Sequence, residues 1–339
     1  MLDHHKLNML LALVGEESQP NMNRLMEVVR NIDILALNVK AMGYRLARDM
    51  ASALPPTTGT TAQTVNLASK MSTQADVESE WAAHWYGQLG LAPIYHRKLW
   101  EYAFLLQALH DGGLLRPGVR ALGFGCGTEP TPSYFAAHGI ASTATDLAPD
   151  EAGSQGWADT NQHATTLEQS YASHLVDRPT FDRLVTHRFV DMNAIDADLR
   201  DYDFCWSICA MEHLGSIQRG MDFLENTLET LRPGGMSIHT MEFNVDPDGP
   251  TIDNWPTVLF QRKHLEALAA RLEAKGHRVA PFDFDPGSKP LDQFIDLPPW
   301  GDTAKAKLAD WISTQPLHLK VAADGFVATC FGIIITKAG

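Results

Sequence analysis

The sequence predicts an α/β fold built on a parallel sheet with helices on both faces. Short apolar runs alternate with helical patterns across the middle of the chain, which is what a parallel sheet requires, since each crossover between its strands covers one face. The first such run opens into Ala121-Leu122-Gly123-Phe124-Gly125-Cys126-Gly127-Thr128-Glu129-Pro130, a glycine-spaced loop, and Asp146 stands nineteen residues after Gly127. Bare main chain at Gly123, Gly125 and Gly127 lets a ligand lie against the backbone, and an acid at the next strand end can accept both ribose hydroxyls. Together these are the marks of a nucleoside-cofactor site.

Residues 1–54 read as an N-terminal helical element. Leu25, Val28, Ile32, Leu35, Val39, Met42 and Leu46 recur at intervals of three and four, the seam of a long amphipathic helix. Its partner is a first helix over Lys6–Val14, the catalytic domain, or a second subunit in a homo-oligomer. The apolar run Leu10–Val14 is too short to span a membrane and lacks a basic leader or a persuasive cleavage site. Pro55 and Pro56 end the helix, so residues 55–71 are expected to be a linker. Residues 72–339 form the catalytic domain, opening with a helical, aromatic-rich cap over 72–112 that carries Trp81, Trp85, Tyr86, Tyr95, Trp100, Tyr102 and Phe104.

Strands are expected over Val119–Phe124, Ala141–Thr145, His187–Val190, Tyr202–Ile208, Gly235–Phe243, His277–Phe282 and Gly325–Thr336. Helices are expected over Ser133–Ala137, Met221–Leu231 and Lys263–Lys275, the last stopped by Gly276.

The surroundings of the loop select the nucleoside. A dinucleotide loop places its third glycine at a helix start facing a pyrophosphate, whereas this chain has Glu129 and Pro130 there, and an acid would repel phosphate. The same acid suits the ammonium of a methionine moiety. On these residues the chain resembles the class I S-adenosylmethionine (SAM)-dependent methyltransferases. Asp146 and Leu147 match their ribose-binding segment. Asp191-Met192-Asn193 matches their adenine segment, with a carboxylate for the exocyclic amine and an apolar cover for the ring. Asp203 to Leu214, with Ser207 inside it, matches the fourth strand facing the methyl group, and Leu231 to Ile238 matches the turn and strand that follow. The resemblance implies a seven-stranded Rossmann-like sheet with its last strand antiparallel, SAM as cofactor, and a helix before the first strand that lends a cation to the cofactor carboxylate. Arg97, in Tyr95-His96-Arg97-Lys98, is the first choice for that cation. Family members usually carry an acid where this chain has Gly123, and Glu129 is expected to fill that vacancy.

Methyl transfer to a hydroxyl needs a base near the methyl group. Glu212 and His213 follow the fourth strand, and His239 and Glu242 lie at the end of the fifth, where open α/β sheets bind ligands. Residues 239 and 242 point to opposite faces of a strand, so both reach one site only if the strand ends near Thr240. Glu212, His213 and His239 are also candidate ligands for a divalent metal; small-RNA 2′-O-methyltransferases use a related Glu-x-x-Glu-His arrangement, and this chain has Cys209 at the first glutamate. Three segments are candidate acceptor elements: Glu242 to Trp255, Gly153 to His163 with Trp157, and Asp283 to Trp300.

Twenty-seven basic against forty-one acidic side chains give a net charge of −14, which repels polyanions and argues against nucleic acid as partner. The four cysteines have no paired spacing, which fits a reducing, cytoplasmic setting. The expected function is methyl transfer from SAM to a hydroxyl of a sugar, glycan-linked group or other polar small molecule, the layout also resembling methyltransferases of bacterial polysaccharide assembly. N- or C-methylation of a natural product and a catalytically silent assembly subunit are the alternatives.

Overall fold

The computed structural model describes residues 8, 11–14, 19–148, 166–298 and 316–339. Residues 6, 7, 9 and 10 of the helix expected over Lys6–Val14, the segment with Trp157, and Trp300 lie outside the described residues.

The chain opens with the long helix α1 (Met22–Ala51), the short strand β1 (Ser69–Met71) and the helices α2 (Gln74–Val77), α3 (Glu80–Gln88) and α4 (Arg97–Asp111). The alternating part follows: β2 (Arg120–Gly123), α5 (Thr131–Ala137), β3 (Ala141–Asp146), α6 (Arg178–Leu184), β4 (Val185–Phe189), β5 (Tyr202–Ile208), α7 (Ile217–Thr227), β6 (Leu231–Asn244) and α8 (Arg262–Ala274). The last part holds β7 (Arg278–Val279), β8 (Phe282–Asp283), α9 (Pro290–Gln293), β9 (Ile295–Asp296), β10 (Lys320–Ala323) and β11 (Phe326–Thr336).

The sheet runs β4-β3-β2-β5-β6-β11. Its first five strands are parallel, and β11 lies antiparallel to β6 from Ala328↔Asn244 to Thr336↔Met236. With β7 antiparallel to the end of β11, these are the seven strands expected. The expected strand over His277–Phe282 is split, because Pro281 cannot donate to a ladder; β7 stays on β11, while β8 pairs with β1. Two additions extend the sheet. β1, at the end of the expected linker, pairs antiparallel with Phe331 and Gly332, and β10 with β9 covers the start of β11.

The pleat sorts side chains between two cores. Phe204, Trp206 and Ile238 face the layer with Trp100, Phe104 and Phe135, and Cys205, Met241 and Phe243 face the layer with Phe223, Leu224, Leu265 and Leu268. Helix α4 comes so close to β11 that a Cβ on Gly332 would lie 2.3 Å from the Phe104 ring. The cap aromatics Trp85, Tyr86, Tyr95, Trp100 and Phe104 are buried in this layer. Helix α7 begins earlier than the apolar pattern suggested, because the Ser216 side chain accepts from Arg219 N and Asp253 Oδ1 accepts from Ile217 N.

Helix α1 meets the domain on a different stripe from its apolar seam. Lys40, Gly43, Tyr44 and Ala47 are buried, and Gly43 lets the helix approach until a Cβ there would lie 2.2 Å from Phe294. Lys40 Nζ donates to Asp296 Oδ1 at 2.5 Å, Tyr44 Oη to Oδ2 at 2.8 Å, and His318 Nδ1 pairs with Oδ2 at 2.6 Å. Val28, Ile32, Leu35, Met42 and Leu46 of the seam are exposed. The segment before residue 299, expected as an acceptor element, is therefore the seat of α1.

Burial alone would raise the Asp296 carboxyl, but bonds from His318, Lys40 and Tyr44 outweigh it and hold the group below the usual carboxylate range. Replacing Asp296 by Ala leaves Lys40 buried without its counter-charge. In urea denaturation, Asp296→Ala is expected to lose about 3–5 kcal/mol of stability, and an unchanged midpoint would show that α1 is not held through this carboxylate.

Candidate cofactor and active site

At the C-terminal ends of β2, β3, β4 and β5 the structure leaves a cavity of about 280 Å3, the edge at which doubly wound sheets bind ligands. Gly125 and Gly127 form one wall, Asp146 and Leu147 the next, Asp191, Met192 and Asn193 the third, and Cys209 to Leu214 the fourth.

The glycine loop is held open by its own hydrogen bonds. Gly125 and Gly127 have φ of +59° and +50°, conformations that glycine adopts without penalty. Gly127 N–H donates to Asp146 Oδ2 at 3.0 Å, and Leu147 N–H to Oδ1 at 3.0 Å. Asp146 thus fixes the loop of β2 from the end of β3, and it also lines the cavity. A Cβ on Gly125 would lie 2.8 Å from Ala210 Cβ and 3.7 Å from Met192 Sδ, so any larger residue there would run into Ala210 and fill this side of the cavity. Asp191 accepts Asn193 N–H at 2.8 Å and presents its carboxylate beside Met192. A diol-binding acid, a bare loop and a carboxylate beside an apolar cover together fit an adenosyl group.

Gly123 has a different reason. It does not line the cavity; a Cβ there would fall 2.3 Å from Cys126 Sγ and 2.4 Å from the Trp206 ring. Packing under the loop, rather than ligand approach, keeps it bare and excludes an acid. Glu129 does line the cavity, is buried, and accepts from Thr131 Oγ1 at 3.2 Å.

Arg97, the expected cation, does not line the cavity. Arg97 turns from the cavity to Glu242, Nη1 lying 2.5 Å from Oε1 and 2.6 Å from Oε2. Lys98, next on α4, lines the cavity with Tyr102 one turn further on, and its Nζ lies 3.6 Å from Glu101. Neighbours on a helix diverge by about 100°, so only one of the two basic side chains reaches this wall.

Ser207 and His239 do not line the cavity. Both lie on the far face of the sheet, His239 fully buried with Nδ1 2.7 Å from Ser207 Oγ and Nε2 2.7 Å from Ser237 Oγ. Burial pushes its pKa down to about 3. With both ring nitrogens taken by hydroxyls, His239 is neither base nor metal ligand, and the expected trio with Glu212 and His213 is not assembled. The pleat is the cause: β6 runs on to Asn244, so 239 and 242 stay on opposite faces.

Glu242 faces the α4 side and closes on the residues after β5. Glu212 is fully buried, and neither of its carboxylate oxygens has a hydrogen-bond partner among the described residues. Burial first, then the charge of Glu242, pushes it up to about 8. His213 lines the cavity, with Nδ1 3.1 Å from Pro256 O and 3.1 Å from Thr257 Oγ1 and Nε2 4.0 Å from Glu212 Oε1. Donation from Nδ1 to the carbonyl places the imidazole lone pair on Nε2. Pro256 lies just past the expected acceptor loop, which is tied down by Gln261 Nε2 donating to Asp246 O and Gly249 O. This connection orients His213 and does not itself line the cavity. Lys98, Tyr102 and Cys209 were not singled out from sequence as site residues. For the first two, the four-residue spacing on a helix directly before the glycine strand is the available signal.

No protein-family profile matches the chain, and no curated protein resembles it in sequence. Solved structures of similar shape include phosphoethanolamine N-methyltransferase 2 of Haemonchus contortus, in complex with SAM, at 16% identity over 69% of this chain and 52% of that one, with a TM-score of 0.41. A SAM-dependent methyltransferase of Mesorhizobium loti matches at 12% identity over 68% and 96%, TM-score 0.37. The cyclase SpnF matches at 15% over 70% and 82%, TM-score 0.41.

Burial pushes the Glu129 carboxyl up to about 8, against the charge of Lys98 and with that of Glu101; Tyr102 and Cys126 also face it. A ligand ammonium that pairs with ionised Glu129 binds more tightly as pH rises toward that value, by up to about tenfold per unit. Glu129→Gln is expected to raise the SAM dissociation constant by about 10- to 100-fold and to flatten this dependence between about pH 6 and 8. Calorimetry at several pH values measures both, and equal affinity in the two proteins would remove Glu129 from the cofactor site.

Proposed function

We propose that this chain transfers a methyl group from SAM to a hydroxyl of a polar acceptor such as a sugar or glycan-linked group. The observation that carries the reading is the Asp146 carboxylate, which locks the glycine loop and still faces the same cavity as Asp191, Met192 and His213. In this reading Asp146 accepts the ribose hydroxyls, Asp191 and Met192 hold the adenine, Glu129 meets the ammonium and Lys98 the carboxylate. When bound, SAM supplies an electrophilic methyl on a sulfonium that leaves as a neutral thioether.

The other residues serve the acceptor. His213 lines the cavity with its Nδ1 held on Pro256 O, which places Nε2 to take the acceptor's proton as the new C–O bond forms; burial lowers its pKa to about 4, which keeps the ring neutral at ordinary pH but makes it a weak base. Pro256 O and Thr257 keep it in that orientation. Buried carboxylates at this end also favour a second reading, an amine that binds as its ammonium and gives up a proton to one of them before its lone pair takes the methyl group. The Arg97 counter-charge on Glu242 and the raised pKa of Glu212 reduce the negative charge on offer, so a hydroxyl is preferred.

Calorimetry with SAM and its demethylated product, followed by mass analysis of sugars, sugar nucleotides and amines incubated with the enzyme, tests the reading. Methylation of amines alone would select the second reading, and cofactor heat without transfer to any of these would favour a silent subunit. His213→Ala is expected to lower kcat by about 100- to 10,000-fold with a much smaller effect on cofactor affinity; an unaltered rate would rule out its role as base.

We also propose that the exposed stripe of α1 joins two copies of the chain. Nine large apolar side chains of this helix are exposed, among them Ile32, Leu35 and Met42, a surface that costs free energy in water. Sedimentation of Ile32→Glu/Leu35→Glu should show a single chain where the parent shows an oligomer, and a monomeric parent would end this part of the proposal. No helix among the described residues is long and apolar enough to cross a membrane. All four cysteines are free thiols, and a reducing, cytoplasmic setting is proposed on that basis.

A further inference from the structure

We infer that Cys209, Glu212 and Glu242 form a binding site for one divalent ion of the zinc type at the floor of the cavity. Three stretches of chain converge there. Strand β5 ends at Ile208, and Cys209 then turns at φ +47°, its N–H donating to Thr240 O at 3.1 Å. The single turn Met211–His213 brings Glu212 back beside Cys209, and the pleat of β6 sends Glu242 to the same side. Cys209 Sγ and one carboxylate oxygen from each glutamate all lie within 4.8 Å of one another. Ligand atoms about 2.0–2.3 Å from a tetrahedral ion stand roughly 3.5 Å apart, a closing within reach of side-chain rotation.

Glu212 is the second, independent observation. It is 0% exposed, and neither carboxylate oxygen has a hydrogen-bond partner among the described residues. Buried carboxyls in proteins are paired or bind metal; around this one stand the other two ligands and His213 Nε2 at 4.0 Å, with the charges of Glu101 and Lys98 also acting on it. Charge closes once the ion binds, because Cys209 and Glu212 then release their protons and one thiolate and two carboxylates carry three negative charges, matched by a divalent ion and Arg97 on Glu242. The mixture of one sulfur with oxygen donors favours zinc over magnesium or calcium. A rival trio of Glu101, Cys209 and Cys330 is equally compact, but each of its members has a partner, Glu101 accepting from Thr240 Oγ1 at 2.5 Å and from Cys330 Sγ at 3.3 Å and Cys209 Sγ lying 3.6 Å from Cys330 Sγ; in the favoured trio Glu242 is held by Arg97, and Glu212 is the member that no hydrogen bond satisfies. Three protein ligands leave a fourth position, and Cys209 turns that position toward the cavity. Binding of the ion stands apart from the methyl-transfer reading; its use there, to polarise an acceptor oxygen, rests on that reading.

The test uses the full chain, stripped by chelator, titrated with Co2+ and then with Zn2+ against a chelating dye. One ion per chain and a sulfur-to-cobalt charge-transfer band in the near ultraviolet are expected. Cys209→Ser should abolish the band, Glu212→Gln should weaken binding at least about tenfold, and Cys330→Ser should keep both. Absence of saturable binding, a band that survives Cys209→Ser, or binding insensitive to Glu212→Gln would each overturn the site. If circular dichroism shows that Cys209→Ser does not fold, Glu212→Gln against Cys330→Ser decides. SAM calorimetry on the same preparation separates the two ideas: cobalt binding without SAM heat removes methyl transfer alone, and SAM heat without metal binding removes this site alone.

Discussion

One carboxylate organises the cavity end of this molecule. By accepting Gly127 N–H and Leu147 N–H, Asp146 ties the glycine loop of β2 to the end of β3. The loop could not keep its two left-handed glycines in that arrangement if the neighbouring strand ended a residue earlier or later. Parallel pairing sets that register, with Gly123 opposite Ala144 and Asp146 opposite Phe189. The cavity is therefore a consequence of strand register, and the polar groups facing it inherit their positions from the sheet.

Most of that was legible in sequence because it is local. The bare loop, the acid nineteen residues on and the Asp191-Met192 pair are short patterns whose meaning depends on strands of obvious apolarity, and the last strand announced itself as a continuous apolar run, its antiparallel direction being what the family resemblance implied. What was not legible depends on rotation about an element. Arg97 and Lys98 are interchangeable as letters, and only the packing of α4 against β11 decides which faces the cavity. His239 and Glu242 look equally available at a strand end; the strand's length beyond them sends one into a nest of serine hydroxyls and the other to Arg97. Sequence reasoning anticipated that split without knowing where β6 stops.

The N-terminal helix shows the same limit at larger scale. Its strongest apolar periodicity does not mark the face that packs on the domain. A small residue, Gly43, and a lysine that finds a buried acid 256 positions away make the contact instead. No local rule identifies such a lysine as interior, because its partner Asp296 lies in a segment whose mixture of prolines, acids and aromatics reads equally well as a surface loop.

Strand β11 has a consequence for how the whole sheet holds together. It carries β6 along one edge and β10, β1 and β7 in succession along the other. Lys70 meets Gly332 across most of the length of the chain, so these ladders close only after long excursions. Losing that one strand would take a partner from four others at once, β7 being left with none among the described residues, so segments from both ends of the chain lean on the same ladder.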